Sequence, residues 1–252
     1  MINTVLTGTP TDQPALLIAH GLYGSARNWG AIAKRMAIDR QVLSVDMRNH
    51  GESDWRDSHS YPDMAADLAE VINTHGGPVD VIGHSMGGKA AMVLALTQPS
   101  LVRRLIVADI APVAYGHTQL GFIGSMRGLD LSKVEKRSDA DRLLTAEIDD
   151  AGIRAFLLQS LDIKGKRWRL NLDVLEAEMP KIMGFPDIHS QFNEATLFLS
   201  GGASGYVLPE HRNGIKALFP KARFARIPDT GHWLHAEKPR DFTETAQAFL
   251  GA

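Results

Sequence analysis

The sequence predicts an α/β fold, a mostly parallel sheet flanked by helices. Three observations predict it: short apolar, β-branched runs recur between turn residues, segments with helical spacing lie between those runs, and the single break in the alternation carries helices alone. The 252 residues, at about 150 per domain, suffice for one large core.

The strand candidates are residues 16–19, 42–45, 79–82, 105–108, 196–199 and 224–227. Two of them, 16–19 and 105–108, are wholly apolar and each of the others carries a single polar residue, near-continuous apolar runs as expected of strands covered on both faces. Helical spacing runs over 29–36, 64–73, 89–96 and 242–250. Between Pro112 and Pro186 no stretch reads as a strand, and amphipathic stretches such as 140–148 and 153–161 read as helices. Residues 113–185 are therefore expected to form a helical cap on a core made of 1–112 and 186–252. An insertion that leaves and rejoins a sheet at strand carboxyl ends roofs the place where such sheets bind ligands.

Composition narrows the function. Hydrophobic residues make up 44% and charged residues 22%, which excludes a disordered or collagenous chain. With 27 basic against 29 acidic residues the net charge is −2, so nucleic acid is not an expected partner. The absence of cysteine rules out disulfides, thiolate metal sites and a cysteine nucleophile, and fits a reducing cytoplasm. The first residues lack the basic start and apolar stretch of a secretory signal. The longest apolar run, residues 90–96, is far short of the roughly 18 needed to cross a bilayer. A soluble, cytoplasmic protein is expected; its oligomeric state is not legible.

The most informative stretch is Gly83-His84-Ser85-Met86-Gly87-Gly88, a G-x-S-x-G pattern between a strand run and a helical run. Such a pattern also arises by chance in glycine-rich loops; the flanking strand and helix give it meaning. A strand turning sharply into a helix strains its central residue, and Gly83, Gly87 and Gly88 leave room for the neighbouring backbone. Ser85 is thus the expected nucleophile, beside a helix amino end whose unpaired N–H groups favour an oxyanion. The N–H of Met86 is one expected donor, and Leu22, in the loop His20-Gly21-Leu22-Tyr23-Gly24, is the second. A serine hydroxyl needs a base, and His232, in Pro228-Asp229-Thr230-Gly231-His232-Trp233, alone among ten histidines combines a late position with a loop after a strand. His84 is expected to point elsewhere, and His20, His50 and His235 to serve structure. His232 and His235 lack a third ligand for a metal, so neither metal nor cofactor is expected.

These residues, His20-Gly21, the stretch from Gly83 to Gly88 and Gly231-His232, resemble the α/β-hydrolase superfamily over essentially the whole chain. Asp46-Met47-Arg48-Asn49-His50-Gly51-Glu52-Ser53 and Ala108-Asp109-Ile110-Ala111-Pro112 look more narrowly like the small bacterial YbfF-type esterases, which hydrolyse short acyl esters and acyl-CoA thioesters. One feature departs from the superfamily. Many members carry the acid that orients the histidine after the penultimate strand, where this chain has Ser204 and no carboxylate. Asp109, just past the run 105–108, would deliver a carboxylate to the same sheet edge, and the YbfF-like resemblance implies that acid. Asp229 is the rival, although its place in a tight loop suits a turn cap better.

Two features of the insertion bear on substrate. Lys164, Lys166, Arg167, Trp168 and Arg169 read by default as a solvated surface, and functionally as an anchor for an anionic leaving group such as coenzyme A. Phe122, Met126, Phe156, Leu157 and Leu161 could line an acyl pocket, although apolar residues at helical spacing are more often core. The expected function is cleavage of a small-molecule carboxylic ester or acyl thioester through an acyl-enzyme on Ser85. The alternatives are a carbon–carbon bond hydrolase using the same residues and a ligand receptor that keeps the fold without turnover. A dehalogenase or epoxide hydrolase is disfavoured, because those superfamily members use an aspartate where Ser85 stands.

Overall fold

The computed structural model describes residues 1–251. Its strands are β1 (Thr4–Thr7), β2 (Leu16–Ala19), β3 (Val42–Val45), β4 (Val79–His84), β5 (Val102–Ala108), β6 (Leu161–Asp162), β7 (Arg167–Trp168), β8 (Thr196–Gly201) and β9 (Ala222–Ile227). The helices before the insertion are α1 (Gly30–Met36), α2 (Tyr61–His75) and α3 (Met86–Thr97). Within it lie α4 (Leu120–Gly128), α5 (Arg137–Leu144), α6 (Ala151–Leu157), α7 (Leu172–Ala177) and α8 (Met179–Met183). The chain ends with α9 (His211–Leu218), α10 (Leu234–Glu237) and α11 (Pro239–Leu250).

Seven strands form one sheet in the order β1-β3-β2-β4-β5-β8-β9, with β1 antiparallel to β3 and the others parallel. Alternation along β2 sorts its side chains between two cores. Leu16 and Ile18 pack with Trp29, Ile32 and Phe242 on the face covered by α1 and α11. Leu17 and Ala19 face the larger cluster that includes Met64, Leu68 and Ala91 from α2 and α3. All six expected strands are present, and β4 runs on through Gly83 and His84.

Where boundaries differ from the sequence reading, local chemistry explains the difference. Ser60 caps α2 by accepting the Asp63 N–H, and a proline fits the first turn, so the helix starts earlier than its apolar spacing suggests. Strand β1 escapes the sequence reading because it is an edge strand with Val5 and Leu6 exposed. In the insertion, α5 stops at Leu144, and Asp150 caps a new helix, α6. The expected helix over 153–161 ends at Leu157, and Leu161 opens a short hairpin of β6 and β7. Asp162 accepts the Gly165 N–H at 2.9 Å and Lys166 takes a left-handed φ of 51°, which together close that turn. Among the described residues no helix is long and apolar enough to cross a membrane.

One buried ion cluster fixes the root of β4. Asp80, fully buried, accepts from Arg40 at 2.8 Å and Arg103 at 2.6 Å. Removing the carboxylate strands a buried guanidinium. Asp80→Ala should therefore lower stability by about 3 kcal/mol, read as a lower denaturant midpoint with an unchanged slope. An unchanged midpoint would contradict this account.

Candidate active site

Neighbouring strands set down the first two side chains of the site. His84 on β4 pairs with Ala108 on β5, so Ser85 and Asp109 are the next residues beyond adjacent strands. Both turn out of the sheet with a left-handed φ of 52°. Such a backbone is unfavourable for an L-residue and persists only where its surroundings hold it. The Ser85 N–H donates to the Ala108 carbonyl at 3.0 Å, and the Asp109 N–H to that of Leu199 at 2.9 Å. A Cβ at position 87 would stand 2.4 Å from the carbonyl oxygens of Ala19 and His20, so the elbow after Ser85 closes only around glycine.

His232 comes from the loop after β9 and must cross the end of β8. A Cβ on Gly201 would lie 2.2 Å from the Gly231 carbonyl oxygen, and its absence lets the loop cross. His232 Nε2 then lies 3.0 Å from Ser85 Oγ, and Nδ1 lies 2.7 Å from Asp109 Oδ2. The Asp109 carboxylate, fully buried, also accepts the Gly201 N–H at 3.0 Å and the Ser204 hydroxyl. The Tyr206 ring stacks on the His232 imidazole with centroids 4.0 Å apart. Position 204, notable in the sequence for lacking an aspartate, thus carries a donor to the aspartate next door.

The remaining candidates separate cleanly. Asp229 is 90% exposed and pairs with Lys238, outside this cluster. His84 turns its Nε2 to the His232 carbonyl at 2.8 Å. Burial, with the neighbouring His235 and His232 imidazoles, holds its pKa well below the usual histidine range, so the neutral ring donates. His235 stacks on Trp29 with ring centroids 4.3 Å apart. Leu22 and Met86 both line the cleft beside Ser85, and the Met86 N–H opens α3. His20 and His50 hold the Leu22 loop. His20 Nδ1 donates to the Gly21 carbonyl at 2.7 Å, and His50 Nε2 accepts the Tyr23 N–H at 3.1 Å. Burial lowers the pKa of both rings.

The cleft, about 680 Å³ with its open mouth included, is walled by both the core and the insertion. Of the five apolar residues for which helical spacing favoured a core role, Phe122, Phe156 and Leu157 line the cleft, whereas Met126 and Leu161 are buried elsewhere in the core. The basic run is largely engaged. Lys166 donates to the Val134 carbonyl, Arg169 pairs with Glu52 and Asp162, and Trp168 is buried with its indole N–H on the Met126 carbonyl. The buried indole offers no face for a base to stack on. Lys89, legible in sequence only as the start of a helical run, lines the cleft, and burial draws its ammonium down to about 7.

The α/β hydrolase family model matches residues 16–245. The sn-1-specific diacylglycerol lipase ABHD11 of Mus musculus is 44% identical over 248 residues, which cover 94% of this chain and 81% of that protein. Esterase YbfF of Escherichia coli (strain K12) is 36% identical over 243 residues, covering 95% of this chain and 94% of the esterase. A solved structure described as a marine microorganism esterase, 37% identical, superposes with a TM-score of 0.93 and covers 98% of each chain. The chain belongs to the α/β hydrolase family.

The buried imidazoles predict acid sensitivity. Burial draws His59 and His235 from 6.5 down to about 3. They stay neutral in the fold while the unfolded chain takes up protons, so their contribution is lost as pH falls from 6.5 towards 3. At pH 5 each should have removed about 2 kcal/mol of stability. Thermal melts should show Tm falling steeply between pH 7 and pH 5; a level Tm over that interval would refute the prediction.

Proposed function

We propose that Ser85, His232 and Asp109 are the nucleophile, base and acid of this hydrolase, that the Leu22 and Met86 N–H groups form its oxyanion hole, and that residues 113–185 cap the acyl group. The chain is a carboxylic ester hydrolase, and this constellation would supply its chemistry. What carries the reading is the hydrogen-bonded line from buried Asp109 through both nitrogens of His232 to Ser85, at 2.7 and 3.0 Å.

In that line the Nδ1–H of His232 donates to Asp109, which leaves Nε2 free to accept the Ser85 proton. Ser85 Oγ attacks the ester carbonyl, and the charge that develops on its oxygen meets the two N–H groups. The imidazolium, stabilised by the Asp109 carboxylate, returns the proton to the departing alcohol and leaves an acyl-enzyme. Water deprotonated by His232 then attacks the acyl carbonyl, and collapse of the second tetrahedral intermediate restores Ser85.

The aromatic and aliphatic cleft walls suit a short to medium acyl chain. Thioesters present the same carbonyl to Ser85, and the reading extends to acyl-CoA. For that leaving group the candidates are Lys164 and Arg167, both exposed, since Lys166 is committed to the Val134 carbonyl. If they hold it, a Lys164→Ala/Arg167→Ala enzyme should show a KM several-fold higher for acyl-CoA and unchanged for the matching neutral ester. Equal changes in both would end the coenzyme A proposal.

Ser85→Ala and His232→Ala should each lower kcat by at least about 10⁴-fold. Asp109→Ala should lower it by roughly 10³-fold or more, and Asp229→Ala by no more than about twofold. A fluorophosphonate should label the protein once, at Ser85. Binding of esters without turnover would instead mark a receptor, and a larger effect at Asp229 than at Asp109 would reassign the acid.

A further inference from the structure

We propose that Lys89 is a positioning residue that fastens both junctions of the insertion to the helix behind Ser85 and thereby sets how long an acyl chain the cleft accepts. The selectivity consequence rests on the serine-hydrolase reading above; the fastening itself does not. Lys89 lies one turn into α3, its N–H donating to the Ser85 carbonyl at 3.0 Å. Its Nζ, 1% exposed as a residue, donates to the Val113 carbonyl at 2.8 Å where the chain enters the insertion. The same nitrogen donates to Met183 at 3.1 Å and to Gly184 where the chain leaves it. A lysine nitrogen has at most three N–H groups, and three backbone carbonyls stand ready to take them.

That saturation decides between two roles. A lone cation beside an apolar cleft suggests an anchor for an anionic substrate group, but Lys89 has no donor left to offer one. No carboxylate pairs with it among the described residues. Its further contacts are aromatic: Nζ lies 4.8 Å from the Tyr115 ring centroid and 5.6 Å from that of Tyr61. These rings belong to the same knot. The Tyr115 N–H donates to the Met183 carbonyl at 3.0 Å, and the Tyr61 hydroxyl donates to Ile182 at 2.6 Å. The Tyr115 hydroxyl donates to the Tyr206 carbonyl at 2.8 Å, and Tyr206 stacks on His232. Lys89, Tyr61, Tyr115 and Met183 all line the cleft, so slack in the knot moves its walls.

Lys89→Met keeps the unbranched apolar stem out to the ε position, removes only the ammonium and leaves three buried carbonyls without their donor. Hydrogen exchange of the variant should quicken at residues 113–116 and 182–185 relative to the strands of the sheet. With p-nitrophenyl octanoate and acetate as paired substrates, the ratio of kcat/KM should shift at least about tenfold against the longer ester, chiefly through KM. Tyr61→Phe, which removes the hydroxyl on Ile182, should move both readouts in the same direction and decides the matter if Lys89→Met does not fold. Unchanged exchange at the two junctions, or equal losses for both esters, would overturn the proposal. Failure of the parent enzyme to cleave either ester would sink the hydrolase reading, and exchange would still decide the fastening.

Discussion

The buried carboxylate of Asp109 is the condition around which the sheet edge is arranged. A carboxylate withdrawn from water loses several kcal/mol of hydration unless donors replace it. Three arrive from separate places: the Nδ1–H of His232 from the loop after β9, the Gly201 N–H from the end of β8, and the hydroxyl of Ser204. Satisfying one anion thus fixes the imidazole's tautomer and its tilt together. The proposed base is aimed at Ser85 because its other nitrogen is already committed.

Around that anion the protein uses strain and neutrality in place of flexibility. Ser85 and Asp109 share the same unfavourable φ at the tips of neighbouring strands, held by hydrogen bonds to the next strand over. Behind them His20, His50, His84 and His235 are all buried. Three of the four lock loops through hydrogen bonds, and the fourth lies flat on an indole. Rings kept uncharged by burial retain one donor and one acceptor each, which gives them direction as well as bulk.

Much of this was readable in the chain. The parallel strands were legible because burial on both faces leaves near-continuous apolar runs, and Ser85 because its glycines sit between such a run and a helix. His232 followed from a late loop after a strand. Edge strand β1 was not, since half its face meets water and no run marks it. The small hairpin in the insertion is dictated by one Asp162 turn, too local for periodicity to register. Ser204 and Lys89 were illegible for another reason: their partners lie 95 positions away for Ser204 and up to 95 for Lys89, and only folding reveals which buried oxygen each one meets.

The meeting of Ser204 with Asp109 bears on ancestry. The Ser204 hydroxyl and Nδ1 of His232 meet the same Asp109 oxygen, so a carboxylate at 204 would join the same cluster, and a lineage that gained one there before discarding the other would pass the proposed acid's role between strands. The intermediate holding both would share a proton between them. By that route the strand that bears the acid would record mutational history, and a difference in it would not by itself separate two lineages.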